Sequence, residues 1–168
     1  MTGLSKELNN YAFVDGQNLN LGIRQMGWNL DFHKFRIYLT DKYQVGVAYY
    51  FIGYIDGNSD LYRSLQMAGF ILVFKPTLVL PEGTVKGNCD AELVLQAMID
   101  LNEYARAVVV TGDGDFYCLV KHLRKIDKFK ILLAPNSLRC SHLLNIAAEN
   151  QISFMNDLKQ KLEYKKGP

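Results

Sequence analysis

Residues 45–54, VGVAYYFIGY, are apolar at odd and even positions alike. A strand with one wet face alternates between apolar and polar residues, so this run is predicted to be a strand covered on both faces. Such a strand needs helices above and below a mainly parallel sheet. Further strand candidates lie at 11–15, 70–80, 106–111 and 130–134, with Pro76 ending the regular pairing of the third. Helical patterns fall between them. Residues 31–43 carry Asp31 as N-cap, and 59–69 end on Gly69. Residues 90–104 place Leu93, Val94, Ala97 and Leu101 at helical spacing, and 115–126 and 138–148 follow. A closing helix is expected after Asn156. This rhythm predicts right-handed βαβ units in a three-layer α/β/α sandwich with a five- or six-stranded, mainly parallel sheet. In the strand order 3-2-1-4-5, the first and fourth strands are neighbours, and ligands bind beyond their carboxyl ends.

A chain of 168 residues, 49% of them hydrophobic, fits one domain over 1–168 with a real core, residues 156–168 forming a C-terminal helix and tail. Nineteen basic residues against 17 acidic ones leave a net charge of +2, too even for nucleic-acid binding by bulk electrostatics. No apolar run is long enough to span a bilayer, so no membrane association is expected. The opening MTGLSKELNN lacks the build of a signal peptide. Cys89, Cys118 and Cys140, odd in number and scattered, read as reduced thiols of a cytoplasmic protein.

Two of the apolar runs break into acid and glycine. AFVDGQNLN ends the first strand at Asp15, and VVVTGDGDF places Asp113 and Asp115 after the fourth. Asp90, in VKGNCDAEL, starts the helix leading into that strand, at the same end of the sheet. Four carboxylates are therefore expected at one pocket, where their repulsion calls for a cation between them. Oxygen-only ligands suit a hard divalent metal such as Mg²⁺ or Mn²⁺. Gly16, Gly112 and Gly114 would let the backbone pass close to substrate or metal. Asn18 would hold a water or a phosphate oxygen, and Lys86 would neutralise phosphate charge. Taken singly, Asp90 and Asp115 also read as N-caps, and Asp15 and Asp113 as strand-end turn residues.

The segments FVDGQNL (13–19), VKGNCDAELVLQAM (85–98) and VVVTGDGDFYCLVKHL (108–123), in this order, resemble the NYN domain, a branch of the PIN-like nuclease superfamily. The resemblance covers most of the chain. It implies a PIN-like sandwich, a divalent metal held by aspartates, and endonucleolytic cleavage of RNA. By position it assigns Asp15, Asp90, Asp113 and Asp115 to the acidic site and matches Asn18 and Lys86 to the family's asparagine and lysine. It also implies a homodimer, the frequent assembly of PIN-like folds.

Other signals are weaker. Lys121, Arg124, Lys125 and Lys128 share one face of the helix over 115–126, opposite Leu119, Leu123 and Ile126. A solvated face is the default, and RNA-backbone contact, extended by Lys130 and Arg139, is the functional alternative. Cys118 with His122 and Cys140 with His142 do not make a zinc ligand set. Tyr54 and Tyr117 read as packing residues rather than base-stacking ones. TGDGDF also resembles the glycine loop of haloacid dehalogenase-type phosphatases, but that chemistry needs an acid two residues after Asp15, where Gln17 stands. A module that binds RNA or protein and cuts nothing is the remaining alternative.

Overall fold

The computed structural model describes residues 7–86 and 89–167. The side chain of Lys86 lies outside the described residues. Strand β1 (Asn10–Asp15) runs straight into helix α1 (Gly16–Gln25), followed by α2 (Phe32–Tyr43), β2 (Val45–Tyr54), α3 (Ser59–Ala68) and β3 (Ile71–Pro76). A short hairpin, β4 (Leu78–Val79) with β5 (Val85–Lys86), leads to α4 (Asp90–Ile99). Then come β6 (Ala107–Val110), α5 (Tyr117–Lys125), β7 (Phe129–Ala134), α6 (His142–Ala148), β8 (Ile152–Phe154) and α7 (Lys159–Leu162). The main sheet is six-stranded and all parallel, in the order β3-β2-β1-β6-β7-β8. Counted within that sheet alone the order is 3-2-1-4-5-6, which extends the expected order by one strand.

The doubly covered strands are confirmed residue by residue. Ala12, Val14, Ala48, Tyr50, Val108 and Val110 face a core with α1, α2 and α3. Phe13, Phe51, Ala107 and Val109 face the opposite core with α4, α5 and α6. Each fully buried aromatic or branched side chain stabilises the fold by roughly 1.5–3 kcal/mol, so neither face of β1 or β6 can turn toward water. The start of β1 is pinned as well. The buried Asn10 donates from Nδ2 to the carbonyl of Tyr43 at 2.8 Å and accepts the N–H of Arg106 at 3.1 Å. Register then carries this fixed start to the other end of the strand: Asp15 pairs with Phe51, and Val14 with Val110.

Several sequence expectations needed correction. Residues 16–25, GQNLNLGIRQ, form helix α1 although their glycines and asparagines are poor helix formers. Tertiary contacts and the Asp15 cap override that propensity. The run 70–80 is one strand plus half of a hairpin, and the helix over 90–104 stops at Ile99. The three residues of β8 were missed because a strand so short carries little periodicity. Among the described residues no helix is long and apolar enough to cross a membrane.

The junction between β1 and α1 has no loop, and Gly16 sits inside it. A Cβ there would collide with the ring of Tyr50 and stand 2.8 Å from the carbonyl oxygen of Phe51. The Tyr50 hydroxyl is held in place by Asn20 Nδ2 at 3.0 Å. The glycine therefore makes room for the sheet itself, not for substrate. Gly16→Ala is expected to cost about 3 kcal/mol as an overpacking defect, lowering the melting temperature by roughly 10 °C in a calorimetric scan.

Candidate functional site

The sheet order reverses between β1 and β6, since the chain leaves β1 toward β2 on one side and reaches β6 on the other. Ligands of such sheets collect at this switch point. Here the crevice, about 240 Å³, is lined by Asp15, Gln17, Asn18, Leu21, Phe51, Ile52, Gly53, Cys89, Asp90 and Asp113. One carboxylate oxygen from each of Asp15, Asp90 and Asp113 lies within 4.8 Å of the other two. Asp115 is not in this group; it is exposed, one residue beyond Gly114.

Each carboxylate is placed by a different device. Asp15 caps α1, accepting the N–H of Asn18 at 3.3 Å, and its second oxygen accepts the hydroxyl of Thr111 at 2.9 Å. Asp113 caps a single 3₁₀ turn over Gly114–Phe116, accepting the N–H of Asp115 at 2.9 Å. Asp90 occupies the first position of α4, after Cys89 at the cap. The capping roles are thus the reverse of the single-residue reading: Asp15 and Asp113 cap, whereas the cap positions of α4 and α5 fall to Cys89 and Phe116. Capping and convergence are compatible, because a capping carboxylate spends part of its acceptor capacity on N–H groups and keeps the rest.

Thr111 is the residue that sequence reasoning missed. It is fully buried, and its hydroxyl donates to Asp15 while accepting the N–H of Asp113 at 3.1 Å. A hydroxyl directly after the three valines that end the strand, and directly before GDGD, is the available signal. Asn18 does not reach toward solvent for a phosphate with its oxygen; Oδ1 accepts the N–H of Gly112 at 2.7 Å and ties α1 to the loop after β6. Gly112 and Gly114 likewise make room for protein. Added Cβ atoms would lie 3.3 Å from the Arg139 carbonyl and 3.0 Å from Ser141 Cβ, respectively.

Burial pushes the Asp15 carboxyl up to about 6, with the negative charges of Asp90 and Asp113 adding to it. The hydrogen bonds from Thr111 and Asn18 pull the other way without prevailing. Two ten-residue helices, α1 and α4, aim their N-termini at the cluster, and the partial positive charge there offsets some of the repulsion. What remains uncompensated matches a hard divalent cation, and a donor set made only of carboxylate oxygens fits Mg²⁺ or Mn²⁺. Burial, with the nearby Glu92 charge adding, pushes the Cys89 thiol up to about 11, so it stays neutral beside the carboxylates. Lys75, in register with Gly53 of the crevice wall, brings a cation to this edge, 3.8 Å from Glu92.

The basic helix face is distributed differently from the sequence reading. Arg124 bonds Gln151 Oε1 at 2.9 Å, the Ala147 carbonyl at 3.2 Å and Glu149 Oε2 at 2.8 Å, clamping α5 to the turn before β8. Lys128 donates to the Tyr104 carbonyl at 2.6 Å. Lys121 and Lys125 are exposed. However, α5 starts beside the cluster and leads away, placing Lys125 roughly 12 Å along its axis from Tyr117. Arg139 is exposed and lines a small pocket with Asn18, Gly112 and Asn136, next to the crevice that Asn18 also lines.

This fold and this acidic crevice belong to a recognisable class. The profile of the NYN domain matches residues 11–154, and the chain belongs to the NYN domain family, within the PIN-like nuclease superfamily. It is similar to the low amplitude and bright protein LabA of Synechococcus elongatus, with 23% identity over 166 residues, covering 93% of this chain and 88% of that one. A crystal structure of a protein of unknown function from Vibrio parahaemolyticus superposes with a TM-score of 0.75 at 25% identity, covering 95% of this chain and 99% of that one.

The raised Asp15 carboxyl has a consequence for stability. Between the ordinary 3.8 of an aspartate and about 6, the folded protein holds a proton that the unfolded chain has released, so stability falls as pH rises through that window. At neutral pH the ionised group costs up to about 3 kcal/mol. In chelator at pH 7.5, Asp15→Asn is expected to melt at a higher temperature than the wild type. That advantage should shrink by pH 4.5 and reverse when Mn²⁺ is added, as read by thermal denaturation.

Proposed function

We propose that this chain is a metal-dependent endoribonuclease that hydrolyses RNA phosphodiester bonds at the crevice between β1 and β6. The observation that carries this reading is the meeting of Asp15, Asp90 and Asp113, 75 and 23 residues apart in sequence, with carboxylate oxygens within 4.8 Å of one another. These three residues would hold Mg²⁺ or Mn²⁺. A divalent cation supplies acidification of a water and neutralisation of charge on the scissile phosphate.

The protein's own groups supply position. Thr111 and Asn18 fix Asp15 and the 111–113 loop, so two of the three carboxylates would be held in position ahead of binding. Asp115, exposed at the rim, orients the attacking water and accepts its proton. The water oxygen bonds to phosphorus as the P–O3′ bond breaks, and the departing O3′ takes a proton from solvent, leaving 5′-phosphate and 3′-hydroxyl ends. Arg139 and Lys75, rather than Arg124, would meet the flanking phosphates, with Lys121 and Lys125 lying farther out along α5. Lys86 is retained as a phosphate contact on the strength of its match to the family lysine. The phosphatase reading has no support at the crevice, because Gln17 in its wall offers no second acid.

Incubation of end-labelled RNA with Mn²⁺ is expected to give internal cleavage that chelator abolishes and that Asp113→Asn slows by ~100-fold or more, because a direct ligand should matter at least as much as the partners that orient ligands, whose loss costs about 10–100-fold. Equal cleavage with Mn²⁺, with chelator and with the variant would refute the proposal. Arg139→Ala is expected to weaken RNA binding more than Lys125→Ala does, and to reduce the salt dependence of binding by about one phosphate contact, measured by fluorescence anisotropy across a salt series.

A further inference from the structure

Tyr54 ends β2, and its neighbours Ile52 and Gly53 line the crevice. Phe51 is in register with Asp15, so Tyr54 stands three residues beyond the carboxylate, about 10 Å along the strand. Phe13 and Tyr50 are 0% exposed and Phe51 is 1%, whereas Phe74, on the neighbouring strand, is 39% exposed and packs against Tyr54. Tyr54 is 48% exposed, yet its ring is held from several sides. Tyr62 stacks on it with centroids 5.8 Å apart and planes at 27°, and Phe74 meets it edge-on at 5.7 Å and 86°. The Tyr54 carbonyl accepts the hydroxyl of Thr77. Tyr62 also fixes the backbone beneath, its hydroxyl accepting the N–H of Ile55 at 2.8 Å and lying 3.3 Å from the carbonyl of Gly53.

The result is a ring with one covered face, a locked orientation and an outer side open to solvent, mounted on the turn that also walls the crevice. Tyr117, 44% exposed, belongs to no aromatic pair among the described residues and has no such mounting. An aromatic plane pre-set in this way loses little freedom when a second ring stacks on it. Every nucleobase offers a π-face, and stacking is tolerant of sequence. A base inside a duplex has both faces covered by its neighbours, so only an unpaired base can use the platform.

We propose that Tyr54 is the stacking platform for an unpaired base of an RNA strand lying across the acidic crevice, and that the substrate is therefore single-stranded at that nucleotide. The proposal deepens the nuclease reading and rests on it for the position of the phosphate. The strand crosses the rim at Gly53, its base lies on the outer face of Tyr54, and discrimination among bases is weak.

The test is fluorescence titration of a single-stranded RNA oligonucleotide carrying one 2-aminopurine, in Mg²⁺ with the Asp113→Asn protein, against the same background bearing Tyr54→Leu or Tyr54→Trp. Binding is expected to quench the 2-aminopurine. Tyr54→Leu, which keeps apolar packing against Tyr62 and Phe74, should abolish the quench and raise Kd about tenfold, within the range for loss of one stacked base. Tyr54→Trp should preserve both signals, and fully duplex RNA should bind without quenching in any variant. Unchanged affinity and quench in Tyr54→Leu overturn the proposal, and they are the outcome expected if Tyr54, Ile55, Leu78 and Val79 form a protein-binding surface instead. Internal cleavage by the protein with Asp113 intact, together with Tyr54-independent binding, sinks the platform and leaves the nuclease. Tyr54-dependent quenching without any cleavage does the reverse.

Discussion

One buried hydroxyl does much to decide what the crevice is. Parallel pairing brings β1 and β6 side by side, but adjacency alone leaves the residues after each strand free to point apart. Thr111, with no exposed surface, closes that freedom by donating to Asp15 and accepting from the backbone of Asp113. A buried hydroxyl left unpaired costs roughly 1–3 kcal/mol, so the bond holds both carboxylate-bearing segments in one arrangement. Asn18 repeats the device from α1. The acidic cluster is thus imposed by the packing around it, against its own repulsion.

That repulsion is only partly relieved. The N-termini of α1 and α4 face the cluster, and hydrogen bonds reach Asp15 from two directions, yet its carboxyl remains well above the ordinary range. A group meant only to cap a helix would sit where its charge is stabilised. Here a capping residue is held in partial burial beside two like charges, which opposes the ionised form that makes a good cap. The conflict between local role and surroundings is characteristic of functional sites.

Much of this was legible in the sequence. Runs apolar on both faces could be satisfied only between two helical layers, and the core residues on each side of β1, β2 and β6 bear that out. Three of the four aspartates named from their positions meet in space. What escaped was whatever depended on partners distant in the chain. Helix α1 forms despite a poor composition because Asp15 caps it and Gly16 lets it turn against Tyr50. Arg124 looked like part of a binding face because its three acceptors lie 23 to 27 residues later in the chain. The glycines of GDGD signalled closeness correctly, but closeness to Arg139 and Ser141 rather than to a ligand. Tyr54 read as packing, and it does pack, against Tyr62 and Phe74, while leaving half its surface outside.

The placement of Asp90 extends the cluster's influence into the architecture. It begins α4, the first covering helix on the second face of the sheet, while Asp15 ends one central strand and Asp113 lies in the loop after the other. Charge at the crevice therefore acts as a wedge between a cladding helix and the beam it covers. The electrostatic cost of a single small cavity is therefore carried by the packing of one whole layer against the sheet.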